Sequence, residues 1–276
     1  LTMGLLGYCL SQSGRTHDAL QAYRMAKLTM PDELQWQLGE ATALMDLGEL
    51  EEAASIYEYV LRVSPERVVI WVNLADVHLR QGQQLLAISD LEIARRLNAL
   101  DASEILSLGH LYLNETLTEK AMDCYRQALK DPEPLPFQKF ADAVDYLVRY
   151  QLWDQARQFV MEIKGAASFD KQIKEDSKAA HQFERAGAMI DIEIGDSERG
   201  AAKLELFLKT DPLDGLILVI LSEYFVEKGQ TEKALMFLER AASVDEFAAQ
   251  AERRRGEILA LRGDYNSALD ALNNAQ

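Results

Sequence analysis

Apolar residues recur at intervals of three and four along nearly the whole chain, the spacing that turns one face of a helix toward a core. The periodic segments come in pairs. Within a pair they are joined by a short polar stretch that carries a glycine, as in "DLGEL" at 46–50. Glycine there has the backbone freedom to end one helix and start the next. The pattern therefore predicts helical hairpins from one end of the chain to the other, with no strand-like alternation between them.

The hairpins keep a fixed interval. Gly14, Gly48 and Gly82 stand 34 residues apart, as do Ala19, Ala53, Ala87 and Ala121. Gly195, Gly229 and Gly263 repeat the spacing late in the chain, and so do Ala234 and Ala268. Four residues after the alanine comes Tyr23, Tyr57 or Tyr125, with Leu91, Leu238 and Leu272 as apolar substitutes. Pro31, Pro65 and Pro212 close units, ending a second helix and opening the next unit's first. Alanine lets the two helices of a pair approach closely, and the aromatic residue fills the space beside it. A lone hairpin cannot bury its apolar faces, so a period in this range implies stacking of neighbours.

These residues resemble the tetratricopeptide repeat family, whose pattern runs W-x2-L-G-x2-Y, A-x3-F and P over 34 residues. The first unit carries Leu6, Gly7, Gly14, Ala19, Tyr23, Ala26 and Pro31. The third carries Trp71, Leu74, Gly82, Ala87 and Ala94, and the fourth Leu108, Gly109, Tyr112, Ala121, Tyr125 and Ala128. The resemblance implies an all-α, right-handed α-solenoid of about eight stacked helix-turn-helix repeats. The phase slips twice. Ala121 to Ala156 is 35 residues, near the proline-rich "DPEPLP" at 131–136, and Ala156 to the equivalent Gly200 is 44. The expected division is repeats one to five over 1–164, an insertion or helix extension over 165–175, and repeats six to eight over 176–276. Ser168 or Asp170 is a candidate cap for a sixth first helix that starts early and runs toward Ile194. Gly187 and Asp191 depart from the motif in that unit, which predicts a local change of pitch or a hinge.

In this family the first helices line a concave groove where partners bind. Carrying the phase over places Tyr8, Thr42, Asp76, His110, Asp145, Met189, Glu223 and Glu257 at one equivalent position. One turn on come Ser11, Met45, Leu79, Leu113, Val148, Ile192 and Val226, flanked by Gln12, Asp46, Arg80, Asn114, Arg149, Glu193 and Glu227. The apolar row reads either as packing between first helices or as a seat for apolar side chains of a peptide or amphipathic helix. The acidic flank reads either as solvated surface or as a selector of Lys and Arg on the partner. Asp76, His110 and Asp145 form a polar row rather than a metal site, because first helices about 8–10 Å apart hold such side chains apart. His17, His78 and His181 read as isolated structural residues. The Lys, Asn and Arg clamp by which some family members hold a carboxylate is absent from the first two units, where Gly4, Tyr8, Leu38 and Thr42 stand instead.

Charge narrows the partner. With 29 basic and 45 acidic residues the net charge is −16, spread along the chain. Such a surface repels phosphate backbones, which argues against nucleic acid. The one basic cluster, Arg253-Arg254-Arg255, points around a helix and reads as a solvated turn. The longest apolar run, "GLILVILSEYF" from Gly215, is interrupted by Ser222 and Glu223 and falls short of the roughly 18 residues a membrane span needs. Cys9 and Cys124 have no metal-ligand spacing and lie three units apart, too far for a disulfide. No phosphate loop or nucleophile elbow is present. The expectation is a non-catalytic scaffold for a protein or peptide, basic and amphipathic in character, with no cofactor, metal or membrane insertion. The alternative is an accessory or regulatory region of a larger enzyme or of a secretion or envelope assembly. The opening "LTMGLLG" and the uncapped "LNNAQ" suggest a natural chain that continues at both ends. A cytoplasmic location is favoured over a periplasmic or other envelope one.

Overall fold

The structure, a computed structural model, describes residues 2–133, 135–166 and 169–275. Among them lie seventeen α-helices and no strand. Contacts divide the chain into two compact units, 1–133 and 134–276.

The first unit holds four hairpins: α1 (Thr2–Gln12) with α2 (Thr16–Thr29), α3 (Leu34–Leu47) with α4 (Leu50–Val63), α5 (Val68–Arg80) with α6 (Gln84–Arg96), and α7 (Ala102–Asn114) with α8 (Thr118–Leu129). Connections of two or three residues force the two helices of each pair to run antiparallel. Ala19, Ala53, Ala87 and Ala121 are each 0 % exposed, so the recurring alanine does sit at the close contact. Tyr57 and Tyr125 are fully buried beside it. Glycines facing these rings leave no room for a side chain: a Cβ on Gly39 or Gly109 falls 2.4 or 2.5 Å from Tyr23 or Tyr125. Between hairpins the proline carbonyls are used in register. Gln37 Nε2 donates to the Pro31 oxygen and Trp71 Nε1 to the Pro65 oxygen, both at 3.0 Å. Buried Glu40 accepts from Arg24 at 3.1 Å and also from Lys27, tying α2 to α3. Tyr112 Oη donates to Glu92 at 3.0 Å, tying α7 to α6.

The second unit holds α9 (Phe137–Arg149) with α10 (Trp153–Gly165), then α11 (Phe169–Glu175), and three more pairs: α12 (Ser177–Ile194) with α13 (Ser197–Phe207), α14 (Gly215–Glu227) with α15 (Thr231–Ala241), and α16 (Asp245–Leu261) with α17 (Tyr265–Asn274). The interval 169–175 is thus a separate short helix rather than an early start of α12. Asp176 divides the two, and its side chain accepts from the Ala179 N–H to cap α12, which runs on to Ile194. Ser168 and the side chain of Asp170, the caps expected from the sequence, lie outside the described residues. Phe169 anchors α11 against Phe137 and Phe183, with ring centroids 5.8 and 5.9 Å away. Gln172 Nε2 donates to the Leu135 carbonyl at 2.9 Å. At the small position of this repeat stands Gly200, where a Cβ would lie 2.7 Å from the Ala188 carbonyl oxygen, so even alanine is too large.

Most of the hairpin turns hold one residue in the left-handed region; the turn between α12 and α13 does not, with Gly195 at φ −131°. Gly48 has φ +83°, and the following N–H, of Glu49, donates back to Leu44 O at 2.9 Å. Where glycine is missing the same turn forms on Thr116 (φ +58°) and Gln151 (φ +56°), with Leu117 N–H bonding Tyr112 O at 2.8 Å. The hydrogen bonds and the neighbouring repeats hold these residues in a conformation that a side chain disfavours by about 1–2 kcal/mol. We expect Thr116→Gly to raise the urea-unfolding free energy by about 1 kcal/mol and Gly48→Ala to lower it by a similar amount. A loss on Thr116→Gly would show that the threonine side chain, rather than its backbone, governs this turn.

Candidate functional site

The row expected at the centre of the groove does several different things. Thr42 Oγ1 and His110 Nδ1 reach the buried tyrosine of their own hairpin, at 3.1 Å from Tyr57 Oη and 2.6 Å from Tyr125 Oη. Both are half-buried tethers of the core, two repeats apart. Asp76 pairs along its own helix with Arg80 at 2.9 Å. Tyr8 is exposed. In the second unit the row turns inward at Asp145 and Met189. Asp145 is buried and accepts from Arg149 at 3.1 Å and from Arg185 at 2.8 Å. Met189 is 0 % exposed. Both expectations are corrected: α12 packs against α9, α10, α13 and α14, and at Asp145 and Met189 the row faces the seam between helices, while Glu223 is half-exposed and Glu257 exposed. Met189 belongs to the core and Asp145 is a structural link. The next row is divided too. Met45 and Ile192 are half-exposed and Leu79 is exposed, but Leu113 and Val148 are buried. The flanking row is open throughout, including Arg80, Asn114, Arg149, Glu193 and Glu227.

Sequence reading missed two buried polar arrangements. His78 and Asp90, read separately as an isolated residue and not at all, form a pair with 2.7 Å between Nδ1 and Oδ2, both under 10 % exposed. Burial pushes the Asp90 carboxyl above its usual range, and the bond to His78 pulls it part of the way back. Arg185 joins three first helices, donating to Asp145 of α9 and to Asp214 Oδ2 at 2.5 Å, while Asp214 caps α14 through the Ile217 N–H. Burial works against the Arg185 charge, but the two carboxylates more than offset it and hold its pKa above the ordinary value. The only sequence signal for either arrangement was a polar residue falling on a core-facing position. Arg254, read as part of a solvated turn, lies in α16 and grips both oxygens of Glu223 at 2.8 and 2.7 Å. Burial also pushes the Cys124 thiol up to about 11, which leaves it protonated and unreactive at neutral pH.

Within the second unit α9, α12, α14 and α16 border a hollow of about 830 Å³. Ile192, Leu216, Val219 and Phe247 give it an apolar wall, and Glu193, Glu223 and Glu227 line its rim. Glu193 remains open to water, yet the walls of the hollow take part of its hydration. That desolvation, with Glu227 and Glu223 nearby, raises its carboxyl above the usual range.

The family model for the tetratricopeptide repeat matches residues 38–104 and, in a second form, 105–130. Those residues are tetratricopeptide repeats. Solved structures carry the repeat fold over more of the chain. A tetratricopeptide repeat protein from Parabacteroides merdae superposes with a TM-score of 0.63 at 17% identity, covering 88% of this chain and 91% of that one. MamA from Desulfovibrio magneticus gives 0.51 at 19% identity over 62% of this chain and 94% of its own. At such identities the likeness is one of fold. Protein CTR9 homolog of Arabidopsis thaliana is 24% identical over 98% of this chain and 28% of its own length, so the chain spans less than a third of that relative.

Two outcomes test this account. Leucine at position 78 strands a buried carboxylate, so His78→Leu should lower stability by about 1–3 kcal/mol, with most of it recovered in His78→Leu/Asp90→Leu. An equally unstable double variant would assign the loss to shape instead of the polar pair. Glu193 has its carboxyl raised in the folded state, so it favours folding while protonated and opposes it as pH rises through the folded value. Glu193→Gln should therefore raise the melting temperature at pH 7, by no more than about 0.5 kcal/mol in free energy for so open a group. The gain should disappear below about pH 4, where the unfolded glutamate is protonated as well.

Proposed function

We propose that the chain is a non-catalytic scaffold that binds a protein or peptide on the face formed by its first helices, and that the partner is basic and amphipathic. The observation that carries this reading is the hollow of the second unit. It is bordered by first helices, walled by aliphatic and aromatic side chains and rimmed by glutamates. An amphipathic helix or extended segment needs such a wall for its apolar side and such a rim for its cations. The exposed flanking row, with Glu193 and Glu227, belongs to this face. Both units are acidic, with 11 basic against 20 acidic residues in 1–133 and 18 against 25 in 134–276, which favours encounter with a positive partner. Two free thiols fit a reducing compartment, and a cytoplasmic site of action goes with the proposal.

A second reading, an accessory or regulatory region of a larger enzyme or of a secretion or envelope assembly, is supported by one observation: the chain aligns with 28% of a much longer relative. The two readings are compatible, since a scaffold of repeats can serve inside a longer polypeptide.

Fluorescence anisotropy with labelled peptides of about 18 residues, patterned with Leu and Lys on a helical period or with Leu and Glu, tests the proposal. The basic peptide should bind with an affinity that weakens as salt rises, and the acidic one should not bind. Val219→Asp should weaken the basic peptide at least about tenfold, chiefly by faster dissociation. Equal binding of both peptides, or indifference to Val219→Asp in a variant whose melting curve is intact, would remove the first-helix face from consideration.

A further inference from the structure

The hollow of the second unit is unevenly neutralised. Four glutamates line it, Glu193, Glu223, Glu227 and Glu246, and they are not equivalent: Glu246 adjoins Phe247, which packs on Gly215 in the first turn of α14, whereas Glu223 and Glu227 lie in its last turns. Both carboxylate oxygens of Glu223 are held by Arg254, whose remaining Nη1 goes to Glu257 at 2.9 Å. Glu193 and Glu227 have no ion pair with any described residue. The cations around them are already engaged. Of the arginines that line the hollow, Arg149 is bound to Asp145 at 3.1 Å, and Arg185 to Asp145 at 2.8 Å and to Asp214 at 2.5 Å. Two like charges thus stand open at one rim of an apolar groove, and desolvation by its walls, with Glu227 and Glu223 adding to it, raises the carboxyl of Glu193. The wall beside them is half-exposed: Ile192, Leu216, Val219 and Phe247 carry apolar surface that the unit's own packing leaves uncovered. At about 830 Å³ the space takes several side chains.

We infer that this groove seats a short segment of a partner protein in which an aliphatic or aromatic side chain is followed closely by a lysine or arginine, the apolar group lying on the Leu216–Val219–Phe247 wall and the cation between Glu193 and Glu227. This rests on the reading of the first-helix face as the binding surface and adds to it the element that the groove reads. Charge complementarity selects the occupant. An acidic or neutral segment would leave two desolvated carboxylates unpaired, whereas a cation gains charge-assisted hydrogen bonds from both. With Glu223 withdrawn by Arg254 and Glu246 set at the opposite end of α14, two carboxylates stand open at the Glu193 rim, matched to one side chain instead of a polybasic run. A single cation next to an apolar anchor is therefore the recognised unit.

The test is a cycle on the full chain with the labelled basic peptide. Each lysine is replaced in turn by norleucine, which keeps the length and apolar stem but removes the charge. The protein partners are wild type, Glu193→Gln, Glu227→Gln and Val219→Asp, the two glutamine changes being at open positions that leave the fold intact. One lysine should dominate, its norleucine peptide binding about tenfold more weakly, and that peptide should be insensitive to Glu227→Gln while the parent loses about tenfold. Equal small losses at every lysine, or no coupling between the dominant lysine and Glu193 or Glu227, would overturn the single-cation site. The scaffold reading would still stand if Val219→Asp weakened the parent peptide. Absence of binding by any peptide would overturn both.

Discussion

The contact on which everything else depends is the close approach of the two helices in each hairpin across one small residue. Ala19, Ala53, Ala87, Ala121, Ala156 and Ala234 are all 0 % exposed at that point. A larger side chain there would separate the helices, open a gap beside the buried tyrosine or its substitute, and cost about 1–3 kcal/mol at each repeat. Because each hairpin buries only one of its faces internally, the other must be covered by the next hairpin. The repeat is therefore a packing requirement as well as a sequence habit. Gly200 shows how strict it is, since the local approach of α12 and α13 excludes even a methyl group.

Stacking alone leaves polar positions in the seams, and the chain satisfies them with aimed bonds. Glu40 with Arg24 and Lys27, Tyr112 with Glu92, and Arg185 with Asp145 and Asp214 each join one helix pair to another. A buried charge left without its partner is strongly destabilising, so such links fix which hairpin faces which. In the second unit they also build the site. Arg185 ties α9, α12 and the start of α14 around the hollow, and α11 is locked beside them by the Phe137–Phe169–Phe183 cluster.

The hollow shows a tension between stability and use. Among the described residues, the two arginines that line it, Arg149 and Arg185, are committed to Asp145 and Asp214, and Glu193 and Glu227 remain uncompensated. Relieving that repulsion should stabilise the fold slightly, and the same change should weaken a basic partner. Opposite signs for the two effects are what a binding surface is expected to show, since function is commonly maintained at some expense in stability.

The sequence by itself determined the hairpins, their number and the residues at their closest contacts, because these depend on neighbours within about 34 positions and on steric size, which a period displays directly. It also marked the hairpin turns through glycine, except at Thr116 and Gln151, where surrounding bonds impose the left-handed backbone that no local signal announces. Tertiary structure decided which members of the first-helix rows face outward. Thr42 and His110 are drawn in by tyrosine hydroxyls, Asp145 by Arg185, and Met189 by the helices packed around α12. Counting residues could not place the extra helix α11, which is held by long-range packing against Phe137 and Phe183. Nor could it show that Arg254 neutralises Glu223 and leaves Glu193 and Glu227 open, because that choice is made between side chains some thirty residues apart that only the stacking of repeats brings together.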